Sequence, residues 1–349
     1  MLRLYILYIP HIPTSQYHHN PTSQYHNIMI IITGAAGFIG SCMVAYLNQM
    51  GYTNLILVDD FSRADKQPNW QNKHYHTCID RSNFIAWLPK HYNQIKMLIH
   101  LGARTDTTET NVAIFDQLNL HYTQQVWALC TQFGIPLLYA SSAATYGNGE
   151  HGYTDSHQVV PQLQPLNPYG HSKNDFDAWA LQQTQTPPLW YGVKFFNVYG
   201  PNEYHKGRMA SVIMHGFNQI KQTGGLKLFK SHRPDYANGQ QLRDFIYVKD
   251  VVSICWHLLQ TQPESGLYNV GTGKANSFLH LAESTFAAMN LTPNIEFIDI
   301  PADIRNTYQY FTEANTTKLL STGYNTPFYS LADGITAYVQ MYLAEGRYW

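Results

Sequence analysis

Residues 32–40 read Ile-Thr-Gly-Ala-Ala-Gly-Phe-Ile-Gly, and this stretch limits the possible folds more than any other in the chain. It joins an apolar run at 30–33 to a helix-patterned run at 39–49, with glycines at 34, 37 and 40. Glycine lets a backbone turn tightly and bring its N–H groups close to a pyrophosphate, and a helix N-terminus adds a favourable dipole. The G-x-x-G-x-x-G spacing differs from the commoner G-x-G-x-x-G, so the flanking elements carry the argument. The next apolar run ends in Asp59-Asp60, about twenty residues on, where an acid can hold the ribose of a bound adenosine. A nicotinamide dinucleotide is the expected ligand. Asp59 favours NAD, because it repels a 2′-phosphate. Arg63, Lys66, Lys73 and Arg81 follow and would offset that repulsion for NADP, so the residues leave both open.

From Met29 onward the pattern alternates strand and helix. It predicts strands at 30–33, 55–59, 74–79, 97–100, 137–140 and 190–198, with helices at 39–49, 111–133 and 168–183. Alternation this regular predicts an α/β fold, a Rossmann-type doubly wound parallel sheet with helices on both faces. After Gly200 the regularity fails. A helix at 209–222, a strand at 226–229 and a polar loop lead to a strand at 245–248 and a helix at 251–259. A strand at 267–270 and helices at 278–289 and 331–344 complete the chain. This divides it into a dinucleotide-binding domain over 29–200 and a smaller C-terminal α/β substrate-binding lobe over 201–349. Segments near 244–272 return to the first domain. Residues 1–28 carry PTSQYH twice, at 13–18 and 21–26, and read as a disordered or non-native extension, with Met29 able to serve as a start. The apolar run at 4–9 is too short to span a bilayer.

Chemistry is expected at Tyr169-Gly-His-Ser-Lys173. On a helix, positions i and i+4 share a face, so phenol and ammonium can reach one spot. A cation there would favour the phenolate and bring Tyr169 towards a useful acid/base range, with Ser142 able to hold the same substrate oxygen. Such a set takes a proton from a carbinol as hydride leaves its carbon. The net charge of −1 supplies no basic field for nucleic acid or anionic lipid. The 17 histidines form no pair at ligand spacing, so no metal is expected. The four scattered cysteines read as reduced thiols of a cytoplasmic protein. With these apparatus the basic set Lys206, Arg208, His215 and Arg243 suits a diphosphate.

The glycine triplet, Asp59, His100-Leu-Gly-Ala103, Asn119, Ser141-Ser-Ala-Ala-Thr-Tyr-Gly147, Tyr169-x-x-x-Lys173 and Phe196-Asn-Val-Tyr-Gly-Pro201 together resemble the extended short-chain dehydrogenase/reductase superfamily. Within it, ASSAATYG, FNVYGPNEYHKGRMASV and YQYFTEAN are similar to the ADP-L-glycero-D-manno-heptose 6-epimerase family; His205–Ser211 is the most specific of these stretches. The resemblance implies epimerisation at C6″ by transient oxidation, with Tyr169 and Lys206 as acid/base groups assisted by Ser142 and Lys173. It implies tightly bound NADP, contacted by Gly34, Gly37, Phe38, Ile39, Gly40, Asp59, Asp60, Lys66, Arg81, Leu101, Gly102, Ala103, Arg104, Thr105, Asn119, Lys173, Val198 and Lys206. It implies a nucleotide-sugar substrate met by Asn197, Arg208, His215, Phe229, Lys230, Ser231, His232, Arg243 and Tyr308. It also implies a homopentamer, or a multiple of one, in the heptose branch of lipopolysaccharide core synthesis. Lys194 stands where the superfamily has Arg, and Leu101 and Arg104 replace a glutamate and a small residue. A UDP-hexose 4-epimerase is the alternative, and it has no need of Lys206. A 4,6-dehydratase would place Asp-Glu where this chain has Ala143-Ala144.

Overall fold

The computed structural model describes residues 28–305 and 308–349. The expected N-terminal extension lies outside the described residues, apart from Ile28. Strands β1 (Met29–Thr33), β2 (Leu55–Asp59), β3 (Thr77–Asp80), β4 (Ile95–His100), β5 (Leu137–Ser142) and β6 (Trp190–Phe195) come first in the chain. Then follow β7 (Asn197–Tyr199), β8 (Leu226–Phe229), β9 (Leu242–Arg243), β10 (Phe245–Tyr247), β11 (Gly266–Val270), β12 (Asn276–Ser277) and β13 (Ile295–Ile298). Seven of them form one sheet in the order β11-β6-β5-β4-β1-β2-β3, and every neighbouring pair in it is parallel. Parallel strands buried on both faces need continuous apolar runs, and β1 and β2 are buried at every position. Side chains alternate between the two faces: Ile30 and Ile32 join one core, and Ile31 joins the other.

The first helices are α1 (Phe38–Gln49), α2 (Arg81–Trp87), α3 (Val112–Phe115), α4 (Tyr122–Phe133) and α5 (Pro168–Leu181). The later ones are α6 (Val212–Thr223), α7 (Val248–Thr261), α8 (Phe278–Ala288), α9 (Ala302–Arg305), α10 (Thr317–Ser321) and α11 (Leu331–Tyr338). α1 and α7 cover one face of the sheet, and α4 and α5 the other. On the second face Trp127 packs edge-on against Tyr139, Phe176 and Trp190. The single helix expected at 111–133 is α3 joined to α4 through a π-helical stretch, Asp116–His121.

The strand expected near 245–248 does not enter the main sheet. It is β10, paired with β7 in a separate two-stranded ladder, whereas β11 extends the main sheet beyond β6. β8 pairs with β13, a strand the sequence reading lacked, and both pack against α6 and α8 in a small core of their own.

One buried acid makes the fold pH-sensitive. Asp250, in the first turn of α7, is 3% exposed, and burial raises its carboxyl from 3.8 to about 7, opposed by a hydrogen bond from the Tyr329 N–H. The native state then holds a proton that the unfolded chain gives up above 3.8. This contribution is fully present below that value and is lost as pH rises through about 7. Asp250→Asn is expected to flatten the decline in melting temperature between about pH 4 and 7. An unchanged slope in a pH series of thermal melts would contradict this.

Candidate active site

Open parallel sheets bind ligands beyond the carboxyl ends of their strands, at the point where strand order reverses. Here that point lies between β1 and β4. A cleft of about 440 Å³ opens there, lined by Gly34, Gly37, Phe38, Ile39, Gly40, Asp59, Lys66, Arg81 and residues 101–106. The glycines are required by contact as well as by conformation. Gly34 has φ +68°, and a Cβ on it would stand 2.6 Å from the Gly102 nitrogen. A Cβ on Gly40 would overlap the Gly34 carbonyl oxygen. The result is a bare backbone cradle at the start of α1, the shape and polarity a pyrophosphate needs. Asp59 is buried; its Oδ2 accepts from the Ala36 N–H at 2.9 Å and its Oδ1 pairs with Lys66 Nζ at 3.0 Å. These residues fit a dinucleotide, held by the cradle and oriented by Asp59.

A second cleft, of about 660 Å³, is lined by Ser142, Tyr169, Asn197, Arg243, Tyr308 and residues 107–110, among others. α5 starts here because Asn167 caps it, accepting from the Gly170 N–H at 2.8 Å, and Pro168 fits the first helical turn. That start sets Tyr169 at the cleft. Burial raises the Tyr169 phenol, and a hydrogen bond with Ser142 opposes the rise. This corrects the expectation of a phenol drawn down by its neighbour. Lys173 runs beneath α5 and donates to the Ala140 carbonyl at 2.8 Å, and burial lowers its ammonium to about 8. Beside it His100 is held neutral by burial, pushed down to about 3 between Thr33 and Thr123. Deeper still, Lys194 donates to Asp177 at 2.7 Å and to Thr145 at 2.8 Å, while Ser141 and Tyr139 also donate to Asp177. With every polar atom partnered, this ion pair ties β5, β6 and α5 together beneath the site.

Arg243 is 6% exposed, stacked between Phe278 and Tyr308, and donates to the Leu242 carbonyl at 2.8 Å. Its neighbour Asp244 fixes the floor of the lobe by accepting from Thr272, Gly273 and Ala314.

Lys206 lines the first cleft rather than the second. It sits 5.3 Å from the Phe38 ring, in a 3₁₀ segment Tyr204–Met209 that Gly207 breaks with φ +54°. Burial lowers its ammonium, and buried Glu203 opposes that. The segment is anchored at its base, where Asn202 holds both backbone groups of Trp349 and Glu203 accepts from Ser211. The two clefts adjoin along one loop, since residues 101–106 line the first and 107–110 the second.

Other expected positions fall elsewhere. Asn119 does not line the cofactor cleft; it grips the Arg104 N–H and carbonyl and the Ser172 hydroxyl. Asp60 turns to Ser62, and Val198 lines neither cleft. Arg208 is paired with Asp106, and His215 is exposed on α6. Phe229 packs edge-on against Tyr308, Lys230 faces Asp299, and Ser231 turns to Arg233. His232 lines an outer pocket that shares Tyr308 with the second cleft. The sequence reading missed Leu118, Tyr122 and Met209 in the first cleft and 107–110, Asn167 and Gln309 in the second.

Residues 30–271 match the NAD dependent epimerase/dehydratase family. An ADP-L-glycero-D-manno-heptose-6-epimerase of Fusobacterium nucleatum subsp. nucleatum is 46% identical over 327 residues, 91% of this chain and 98% of its own. The chain belongs to the NAD dependent epimerase/dehydratase family, among its ADP-L-glycero-D-manno-heptose-6-epimerases. A second such epimerase, from Nitratidesulfovibrio vulgaris strain DP4, is 45% identical over 321 residues, 90% of this chain and 98% of its own. The crystal structure of the Helicobacter pylori ADP-L-glycero-D-manno-heptose-6-epimerase matches with TM-score 0.77 at 26% identity, covering 91% of this chain and 97% of that one. Among the described residues of this epimerase, no helix is long and apolar enough to cross a membrane.

Proposed function

We propose that this epimerase converts ADP-D-glycero-β-D-manno-heptose to ADP-L-glycero-β-D-manno-heptose, inverting C6″ by transient oxidation. The observation that carries the reading is that two adjoining clefts hold the candidate groups, Tyr169 and Ser142 lining the second and Lys206 the first. A bound nicotinamide supplies a hydride acceptor that can return the hydride to the same carbon. The protein's own groups handle the proton. Inversion takes a proton from an alcohol on one face and gives one back on the other, so two groups are needed. Tyr169 and Lys206 serve as those two groups, each taking the proton from one epimer and giving it back to form the other. Ser142 would hold the reacting oxygen beside Tyr169, and Lys173 would help hold the cofactor. Asn197, Arg243 and Tyr308 take the sugar and diphosphate, and His232 and its pocket the nucleoside end.

NADP is the proposed cofactor, with NAD possible for the same cradle. Arg63, Lys66 and Arg81 all line the cleft, and Lys66 neutralises Asp59, the residue that would repel a 2′-phosphate. The resemblance read from the sequence supports a homopentamer or a multiple of it, cytoplasmic, serving lipopolysaccharide core heptose synthesis.

Incubation with ADP-D-glycero-β-D-manno-heptose is expected to yield both C6″ epimers; turnover of UDP-galactose instead would select a 4-epimerase. Lys206→Met is expected to lower kcat about 10²-fold, the usual contribution of one acid/base group. Full activity in that variant would remove Lys206 from the chemistry.

A further inference from the structure

Asp106 and Arg208 meet across the line where the two clefts join. Asp106 lines the first cleft, and the next residue, Thr107, begins the wall of the second. Arg208 lies two residues beyond Lys206 and donates to both Asp106 oxygens, at 3.2 and 3.0 Å. Beside this pair Thr107 Oγ1 lies 3.9 Å from Met209 Sδ. Two consecutive residues of one loop thus meet two consecutive residues of the other. Asp106 is itself fixed, because its Oδ1 accepts from the Thr108 N–H at 3.0 Å and hydroxyl at 2.7 Å. Arg104 approaches the same carboxylate at 3.5 Å and also faces Glu109 at 3.4 Å.

The segment that carries Lys206 needs such an anchor. Its base is held at Asn202 and Glu203, but Gly207 breaks the helical turn just after Lys206. Beyond Gly207 Ser211 returns to Glu203, and the charged tie to the 106–107 loop is the bond of Arg208 to Asp106, beside the Thr107–Met209 contact. We propose that the Asp106–Arg208 pair is a latch that sets the position of Lys206, making both of them positioning residues. This rests on reading Lys206 as the second acid/base group. It also gives Arg208 a task other than binding diphosphate, through the Nη2 that bonds both Asp106 oxygens.

Exposed ion pairs add little to global stability, so the latch acts on geometry. A displacement of about 1 Å at a reacting group costs about 10²-fold in rate. Asp106→Asn and Arg208→Gln are each expected to lower kcat at least about tenfold, with KM and melting temperature near wild type. The exchanged pair Asp106→Arg/Arg208→Asp is expected to recover most of the loss. A diphosphate-binding Arg208 predicts the opposite pattern: Asp106→Asn would lower KM, Arg208→Gln would raise it, and kcat would hold; that pattern overturns the latch. Hydrogen–deuterium exchange over 204–210 supplies a readout free of substrate. Faster exchange in Asp106→Asn supports the latch, and unchanged exchange overturns it. A wild-type enzyme that failed to turn over ADP-heptose would count against the proposed function, while the exchange result would still decide the latch.

Discussion

Tyr169→Phe is expected to lower epimerisation about 10³-fold, within the range one positioned acid/base group supplies. The change deletes one oxygen and keeps the ring, so packing against Phe115, whose centroid lies 6.4 Å away, survives. The lost hydroxyl is the one that bonds Ser142 at the second cleft. Ser142 would still be held, because it caps the following turn by accepting from the Ala144 N–H at 3.1 Å. Fold, cofactor affinity and melting temperature should therefore match wild type. Single-turnover measurements should show slow appearance of reduced cofactor on mixing with ADP-heptose. A variant that reduces its cofactor at the wild-type rate would move the proton transfer elsewhere, with the buried Lys173 as the group to test next.

The second large effect belongs to Gly40→Ala. The methyl group would overlap the Gly34 carbonyl oxygen, and Ala35 Cα lies only 3.1 Å from the new atom. Both are backbone atoms in the cradle, so no side chain can rotate aside, and α1 must shift away from β1. Overpacking of this kind costs about 1–3 kcal/mol. In a chain of this size that lowers the melting temperature by about 2–4 °C. The amides around Gly34 and Gly37 would lose their alignment with a pyrophosphate, so cofactor affinity should fall together with stability. Thermal melts with and without added NADP measure both. A Gly40→Ala protein that melts normally and is stabilised by NADP as wild type is would show that the close approach is not needed.

Much of this was legible in the residues. The glycine cradle, its strand and helix, and Asp59 were readable because each depends on backbone geometry within a few positions. The buried strands were readable because two covered faces demand continuous apolar runs. That Tyr169 and Lys173 share one helix follows from their spacing alone. Other features depended on distance along the chain. Leu118, inside the π-helical stretch, and Tyr122, just after it, line the first cleft, and no spacing rule marks such a stretch in advance. β10 looked like a sheet strand because its apolar pattern is one; its partner, β7, is chosen by where the chain leaves β6. Residues 107–110 face the second cleft from a loop with no periodicity to read.

Local backbone freedom and residue chemistry made the fold class and the glycine cradle readable in the residues, and the family resemblance offered Tyr169 and Lys206 as the proposed acid/base groups. Contacts between distant segments set which partner each polar side chain takes. Lys173 turns to the Ala140 carbonyl, Asn119 spends its amide on Arg104, and Arg208 faces Asp106. Burial raises the Tyr169 phenol that its neighbour on the helix was expected to lower. The reason is physical: spacing along a helix sets which face a residue occupies, but desolvation and partners from distant segments set its proton affinity and its direction.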